Sequence, residues 1–424
     1  MNRMALSLFL CAVLSSIFGT AFAQRLPTRS RAVGAEVTFN NQIVRIFQQQ
    51  CQVCHHPGDI GPFSLMSYRE ALPHARSIKA ATQAQHMPPW KPVPGYGEFL
   101  DVRRLTQHQI DLIARWVDTG APEGDPRELP RPLSFPDQWT LGVPDLVIEP
   151  DRDYFVPAQG GDIYRCFSIP TQLLEDRHVV GLEVRPGNRA TVHHVLLFQD
   201  ALGLSARLGQ PGDAQPGYNC FGGPGLMVTG GFGGWAPGNQ PQILPSGIGI
   251  RATAGSRVVM QIHYHPSGSS QADRTRVGLW FAREPIQKDY LFLPILNSNL
   301  VIPAGAARHT VTASFTIPPF LSAQALSITP HMHLLGREMR LEAIYRDGSR
   351  RPLVYIDDWD FQWQGTYYYK EPVPLPAGTR IELTAVYDNS PANPRNPHSP
   401  PKEVRWGEQT TDEMCIAFIG FTLN

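Results

Sequence analysis

The period of the apolar positions changes partway along the chain. Between 39 and 50 they recur at helical spacing (Ile43, Ile46, Phe47). The stretch from Leu105 to Val117 repeats the pattern, with Ile110, Ile113, Trp116 and Val117 on one face and Gly120 as the stop. Residues 35–127 therefore predict a small all-α domain. From Pro122 to Pro136 the chain is Pro-rich and charged, which reads as an interdomain linker, with the linker proper assigned to 128–139. Beyond it short alternating runs take over: Val179 to Val184, Val192 to Phe198, Arg257 to His265, Arg340 to Tyr345, Arg380 to Tyr387 and Met414 to Thr422. Pro-Gly, Asn-Ser and Asp-Gly turns separate them. This texture predicts two all-β antiparallel sandwiches, over 140–284 and 285–424, with the proline-bearing stretch Pro285 to Pro303 at their boundary. No repeat of fixed period is present.

The first 23 residues stand apart. Asn2-Arg3 is a short basic start, Leu6 to Phe18 is mostly apolar, and Ala21-Phe22-Ala23 fits a small-residue cleavage site. That is the build of a secretory signal peptide; the apolar run is short for an anchoring helix and a polar stretch follows it. Cys11 would leave with the signal. No later segment is apolar enough to span a membrane, so the mature chain is expected in the periplasm or secreted. About 400 residues then remain, more than one core usually holds. With 37 basic and 37 acidic residues the formal charge is zero, which argues against a nucleic-acid partner.

Cys51-Gln52-Val53-Cys54-His55 is the most specific local motif. Two thiols spaced this way add across the vinyl groups of a haem, and the adjacent histidine ligates its iron. A thioredoxin-type reading lacks its βαβ context, and a zinc site would need more cysteines nearby. One covalently bound haem c is expected, held by Cys51, Cys54 and His55. For the second axial position Met87, in Gln85-His86-Met87-Pro88-Pro89-Trp90, is favoured over Met66, which reads as a core residue; a thioether raises the iron potential. His56 and His86 are expected to face solvent or propionates. The segment resembles the short monohaem cytochromes c of bacterial periplasmic enzymes. After the haem pair, Cys166, Cys220 and Cys415 remain, an odd number that divides into one disulfide and one free thiol in an oxidising compartment.

Six of the nine histidines beyond residue 140 form three clusters: His193-His194, His263-Tyr264-His265 and His331-Met332-His333. Along a strand, His331 and His333 leave the same face, as do His263 and His265. His193 and His194 would point to opposite faces and can share an ion only at a strand end or a bulge. Isolated histidines such as His178, His309 and His398 read as ordinary polar residues. Clustering favours a metal, although imidazoles alone do not choose among copper, zinc, iron and nickel.

Taken in order, Thr191-Val192-His193-His194-Val195-Leu196-Leu197-Phe198, Gln261-Ile262-His263-Tyr264-His265, Pro330-His331-Met332-His333-Leu334-Leu335-Gly336 and Asp412-Glu413-Met414-Cys415 resemble the ligand motifs of the copper type II, ascorbate-dependent monooxygenases. Gly233 to Gly238 matches a Trp-Ala turn of the same family, and the resemblance runs over about 140–424. It implies two jelly-roll-like sandwiches, each holding one of two copper ions across an open cleft. His193, His194 and His263 would hold the electron-transfer copper; His331, His333 and Met414 the catalytic, oxygen-binding one. A soft thioether suits the reduced ion that meets oxygen. Without the resemblance, Met414 would read as a core residue of the final strand. His265 would lie outside the ligand set. Peptide-hydroxylating members carry an Arg, an Asn and a Tyr where this chain has Thr329, Ile416 and Phe418, so a peptidylglycine substrate is not expected. Cys166 and Cys220 are expected to pair within the first sandwich, leaving Cys415 free and buried.

The resulting expectation is an exported copper-dependent monooxygenase that hydroxylates a C–H bond of a small molecule with O2. Electrons would arrive through the haem from a periplasmic donor or an ascorbate-like reductant. The alternatives are a non-catalytic copper and haem electron-transfer protein, or a subunit of a periplasmic oxidase complex. The aromatic stretch Trp363 to Tyr369 could line the cleft, though sandwich packing accounts for most such residues.

Overall fold

The computed structural model describes residues 36–135, 139–209 and 213–424; the expected signal peptide lies outside the described residues. Among them no helix is long and apolar enough to cross a membrane.

Three helical pieces come first among the described residues. Thr38 accepts from the Asn41 N–H at 3.3 Å and caps the π-turn Phe39–Ile43, which runs into the helix Val44–Gln50. Ser67 caps Tyr68–Ala71, which continues through Leu72–His74 into Ala75–Gln83. Thr106 and Gln109 form a capping box on Gln107–Asp118. Phe39, Ile43, Phe47, Ile110, Ile113 and Trp116 fill the core between them, as the periodicity predicted, and Val117 sits half-buried at its margin.

Helix nevertheless occupies less of 35–127 than expected. Residues 84–106 carry none, and part of this stretch belongs physically to the C-terminal sheets. The Val93 N–H donates to Tyr355 O (2.8 Å), Leu100 N–H to Tyr368 O (2.8 Å) and Lys370 N–H to Glu98 O (2.9 Å). Strands Arg350–Ile356 and Tyr367–Leu375 are sheet edges, whose unpaired backbone groups need such partners. Phe99, 3% exposed, enters the core behind them and stacks on Tyr369. Gly97 makes the approach possible: its φ is +92°, and a Cβ there would lie 2.5 Å from Leu353 O. The expected linker is likewise tied down, with Arg45 Nη2 donating to Glu128 O (3.0 Å) and Gln48 Nε2 to Arg131 O (2.9 Å).

The β part consists mostly of sandwich sheets. In the first pair, one sheet runs Tyr218–Asn219, Ile163–Pro170, Arg257–Tyr264, Val192–Asp200, Gly230–Trp235. Its partner runs Leu146–Ile148, Arg276–Phe281, Arg177–Arg185, Ile248–Ala252, Lys288–Asp289, with Gln242–Ile243 also on Arg177–Arg185. Val195, Leu197, Met260 and Ile262 meet Val179, Val277 and Leu279 between them. The second pair comprises Leu291–Leu296, Ile416–Leu423, Ala323–His331, Tyr367–Leu375 and, opposite, His309–Thr316, Arg380–Tyr387, Gly336–Ile344, Arg350–Ile356. Ile328, Met339, Leu341, Leu383, Ala417 and Ile419 fill that core. The chain crosses from one pair to the other at Tyr290, whose N–H donates to Gly249 O (2.8 Å) while its hydroxyl meets Ser327 Oγ (2.6 Å).

Cys166 and Cys220 form a disulfide, and Cys415 is free and fully buried, both as expected. The last strand starts at Ile416, so Met414 lies outside the run Met414 to Thr422 that alternation suggested. The Met414 N–H donates to the Glu413 carboxylate (3.1 Å) instead of to a neighbouring strand.

Candidate metal centres

Strand Arg257–Tyr264 pairs with Val192–Asp200 so that His263 lies opposite His194, and Tyr264 opposite Val192. His193 is therefore the extra residue of a β-bulge, the device that lets two adjacent rings turn to one side. The Nδ1 atoms of His193 and His263 each lie 3.3 Å from Nδ1 of His194. Two nitrogens about 2.0–2.1 Å from a shared ion at a tetrahedral angle would sit about 3.3 Å apart. These three residues form the group of His, Cys, Asp and Glu side chains, among the described residues, close enough to hold one ion. His263 Nε2 is buried without a hydrogen-bond partner; Asp162 Oδ2 approaches it only to 3.5 Å. Burial, reinforced by the His263 imidazole, pushes His193 down to about 3, and burial drives His194 well below the ordinary range. Both rings stay neutral and able to donate a lone pair at pH 7.

Tyr164 stacks on His263 (centroids 4.4 Å, 9°), and its hydroxyl donates to Glu408 O of the second sandwich (2.8 Å). His265 is exposed and pairs with Asp162 (2.9 Å), outside the cluster as expected.

The second cluster uses the opposite ring nitrogen. His333 Nδ1 donates to Asp412 O (3.2 Å) and His331 Nδ1 to Gln364 Oε1, since both partners can only accept. Each ring is thereby fixed with Nε2 as the free lone pair. Gln364 is held in turn by its Nε2 donating to Phe361 O (2.8 Å). The rings of His331 and His333 stand 5.1 Å apart at 87°, and Met414 lines the same cavity. Burial pushes His331 down to about 4 and His333 to about 3.

Two residues outside the expected ligand set organise this cluster. Glu413, fully buried, accepts from the N–H groups of His333 (2.8 Å), Leu335 (2.6 Å) and Met414 (3.1 Å), tying the His-x-His turn to the methionine. Phe361 stacks on His193 (4.8 Å, 18°) and meets His333 edge-on (5.7 Å, 83°), touching both clusters at once. The clusters share one cavity of about 1050 Å³ between the sandwiches.

The Cys51 to His55 motif follows the helix Val44–Gln50, with the N–H groups of Cys54 and His55 both donating to Cys51 O (3.1 and 3.0 Å). His55 Nδ1 donates to Phe63 O (3.0 Å), leaving Nε2 free. Cys51 and Cys54 are unbridged, and burial pushes the Cys51 thiol up to about 12 and raises that of Cys54. Such thiols are poor nucleophiles for disulfide exchange. Met87 is half-buried in the turn after Ala75–Gln83; Met66 is also half-buried, and His86 is exposed. His56 stacks on Phe135 (4.1 Å). Asp59 pairs with Arg189 (2.8 Å), which joins the motif's loop to the turn that leads into His193.

Comparisons with known proteins bear on the C-terminal half most directly. Human (Homo sapiens) DBH-like monooxygenase protein 1 is 22% identical over 294 residues, covering 62% of this chain and 45% of that protein. The Gallus gallus protein of the same name is 22% identical over 319 residues, covering 68% and 47%. The chain thus spans about half the length of the curated relatives it matches. A solved structure of PNGF-II overlaps at TM-score 0.28 with 12% identity, covering 65% of each chain. Residues 295–422, which hold His331, His333 and Met414, match the family model of the copper type II ascorbate-dependent monooxygenase C-terminal domain.

Proposed function

We propose that this chain is a copper-dependent monooxygenase that hydroxylates a C–H bond of a small molecule with O2. The observation that carries the reading is the facing pair of clusters. His193, His194 and His263 converge through a bulge, His331 and His333 present Nε2 with Met414 beside them, and Phe361 touches both sets. The donor sets fit copper: three neutral imidazoles on one side, two imidazoles with a thioether on the other. Two bound copper ions would supply the electrons and the oxygen activation for insertion into the C–H bond.

The chain's own groups do the rest. Glu413 and Gln364 fix the orientation of the second ligand set, and Asp162 braces His265 beside the first. An electron-transfer protein without a substrate would have no use for a cavity of this size beside Met414.

Cys51, Cys54 and His55 would hold a haem c, with Met87 as the second axial ligand, on a small all-α domain upstream of two sandwiches divided near residue 285. Free His55 Nε2 and two unpaired thiols at the motif fit that group. Bound there, it would pass single electrons from an external reductant. The Asp59–Arg189 pair supports an inlet on the His193 side. The signal-like residues 1–23 support export to the periplasm or beyond.

Metal analysis of the copper-reconstituted chain should give two ions per chain, and labelled O2 should appear in a hydroxylated product. Uptake uncoupled from any hydroxylated product, together with a His331→Ala variant that behaves like wild type, would overturn the reading. A pyridine haemochrome spectrum, lost in Cys51→Ala/Cys54→Ala, tests the haem.

A further inference from the structure

Building on the monooxygenase reading, we propose that the inter-sandwich cavity takes an uncharged, predominantly hydrocarbon substrate that lies along strand Ile416–Leu423. Residues 414, 416 and 418 alternate towards the cavity, while Cys415, Ala417 and Ile419 face the core. A row of Met414, Ile416 and Phe418 therefore leads away from the second cluster. Pairing sets His331 beside Ile416, and Thr329 beside Phe418. The same alternation on Val192–Asp200 turns Leu196 and Phe198 towards the cavity after His194. Phe292 reaches over from Leu291–Leu296 to within 3.4 Å of where a Gly233 side chain would begin; with φ at +98° that position favours glycine, and the wall stays open there.

The polar inventory of the walls points the same way. Thr329, Ile416 and Phe418, none of them charged, all line the cavity. Among the described residues, four charged side chains reach it. Glu183 is buried and accepts from Arg185 Nε (2.8 Å), Thr140 and the Leu141 N–H. Arg251 is bound to Asp176 (2.6 Å), and Asp289 pairs with His178 (3.3 Å). Glu408 lies at the Tyr164 end, and burial raises its carboxyl towards the neutral form. An ionic head group would be stripped of water here without a dedicated counter-charge on the long walls, whereas an alkyl or alicyclic body meets side chains of its own kind.

The test is calorimetric titration of the copper-free chain at pH 7 with 1-decanol, decanoate and decylammonium, all below their micellar concentrations. Decanol should bind at least tenfold more tightly than either ion. Phe418→Asn should weaken decanol about tenfold while Phe418→Leu restores it; if Phe418→Asn does not fold, Leu196→Asn on the opposite wall serves. Equal or tighter binding of decylammonium would overturn the proposal and point to Glu408 as an amine anchor; tighter decanoate would point to Arg251. Absence of binding by all three, or decanol binding unchanged by the wall variants, also overturns it. Because no copper is used, the result separates from that of the parent reading. Decanol binding without labelled-oxygen incorporation would leave the apolar site standing and remove the oxygenase; two coppers and coupled turnover without decanol binding would do the reverse.

Discussion

Replacing Glu413 with alanine should weaken the second sandwich and its ligand set together. The carboxylate is fully buried and accepts three backbone N–H groups, from His333, Leu335 and Met414. Each buried donor left without a partner costs about 1–3 kcal/mol, so three orphaned groups could total about 6 kcal/mol. Part of that is offset, because burial itself opposes the charged carboxylate and pushes its titration up to about 8. A net loss of about 3 kcal/mol is expected for Glu413→Ala. Glu413→Gln keeps one carbonyl oxygen that can still accept, and should lose about half as much. Urea unfolding followed by tryptophan fluorescence measures the first effect, and copper stoichiometry at sub-stoichiometric metal measures the second. If Glu413→Ala unfolds at the wild-type urea concentration, or if the glutamine variant is as damaged as the alanine one, the carboxylate does not tie the turn to Met414.

Further perturbations probe other parts of the molecule. Cys166→Ser/Cys220→Ser opens a loop with a sequence separation of 54, for which chain entropy predicts a loss of about 4 kcal/mol, read as a lower urea midpoint. On the proposed reading, which gives the chain two coppers and a haem, His263→Ala should lower bound copper to one ion per chain by metal analysis while the haem spectrum stays unchanged. Phe99→Ala should cost about 3–5 kcal/mol, because the ring is buried in the second sandwich; a protease-cleavage rate at residues 84–106 that stays at the wild-type value would refute its anchoring role. Asp273 is buried, and desolvation raises its carboxyl above the usual 3.8 despite bonds from Tyr264, Thr275 and Asn188. The unfolded chain releases that proton first, so stability falls as pH climbs from about 3.8 through the raised value. Asp273→Asn should flatten that part of the stability-against-pH curve.

Much of the candidate site was legible because its signals are local. The spacing of His331 and His333 marks them as a pair, although the strand ends at His331 and His333 stands in the turn beyond it. The adjacency of His193 and His194 calls for a strand end or a bulge, and the shifted pairing at His263 supplies the bulge. The helical stripe Ile110, Ile113 and Trp116 was equally readable. What escaped was non-local. Glu413 meets His333 across 80 residues, and Gln364 meets His331 across 33, with no periodicity to announce either contact. The start of the last strand was misjudged because Glu413 captures the Met414 N–H, a bond that hydrophobic alternation does not encode. The docking of Pro92 to Leu100 onto the C-terminal sheets was invisible for a related reason. A segment with Pro92, Pro94, Gly95 and Gly97 borrows its extended shape from the edges it covers.

That borrowed strand has a consequence for biogenesis. Phe99 completes a core whose other walls are made after residue 290, so its partners are synthesised long after it. Contacts of such long sequence separation form late. The Pro92 to Leu100 backbone therefore docks only after those strands have been made. A chain truncated in its C-terminal sandwich would leave Phe99 and the Pro92 to Leu100 backbone exposed, a recognisable mark for proteolytic clearance.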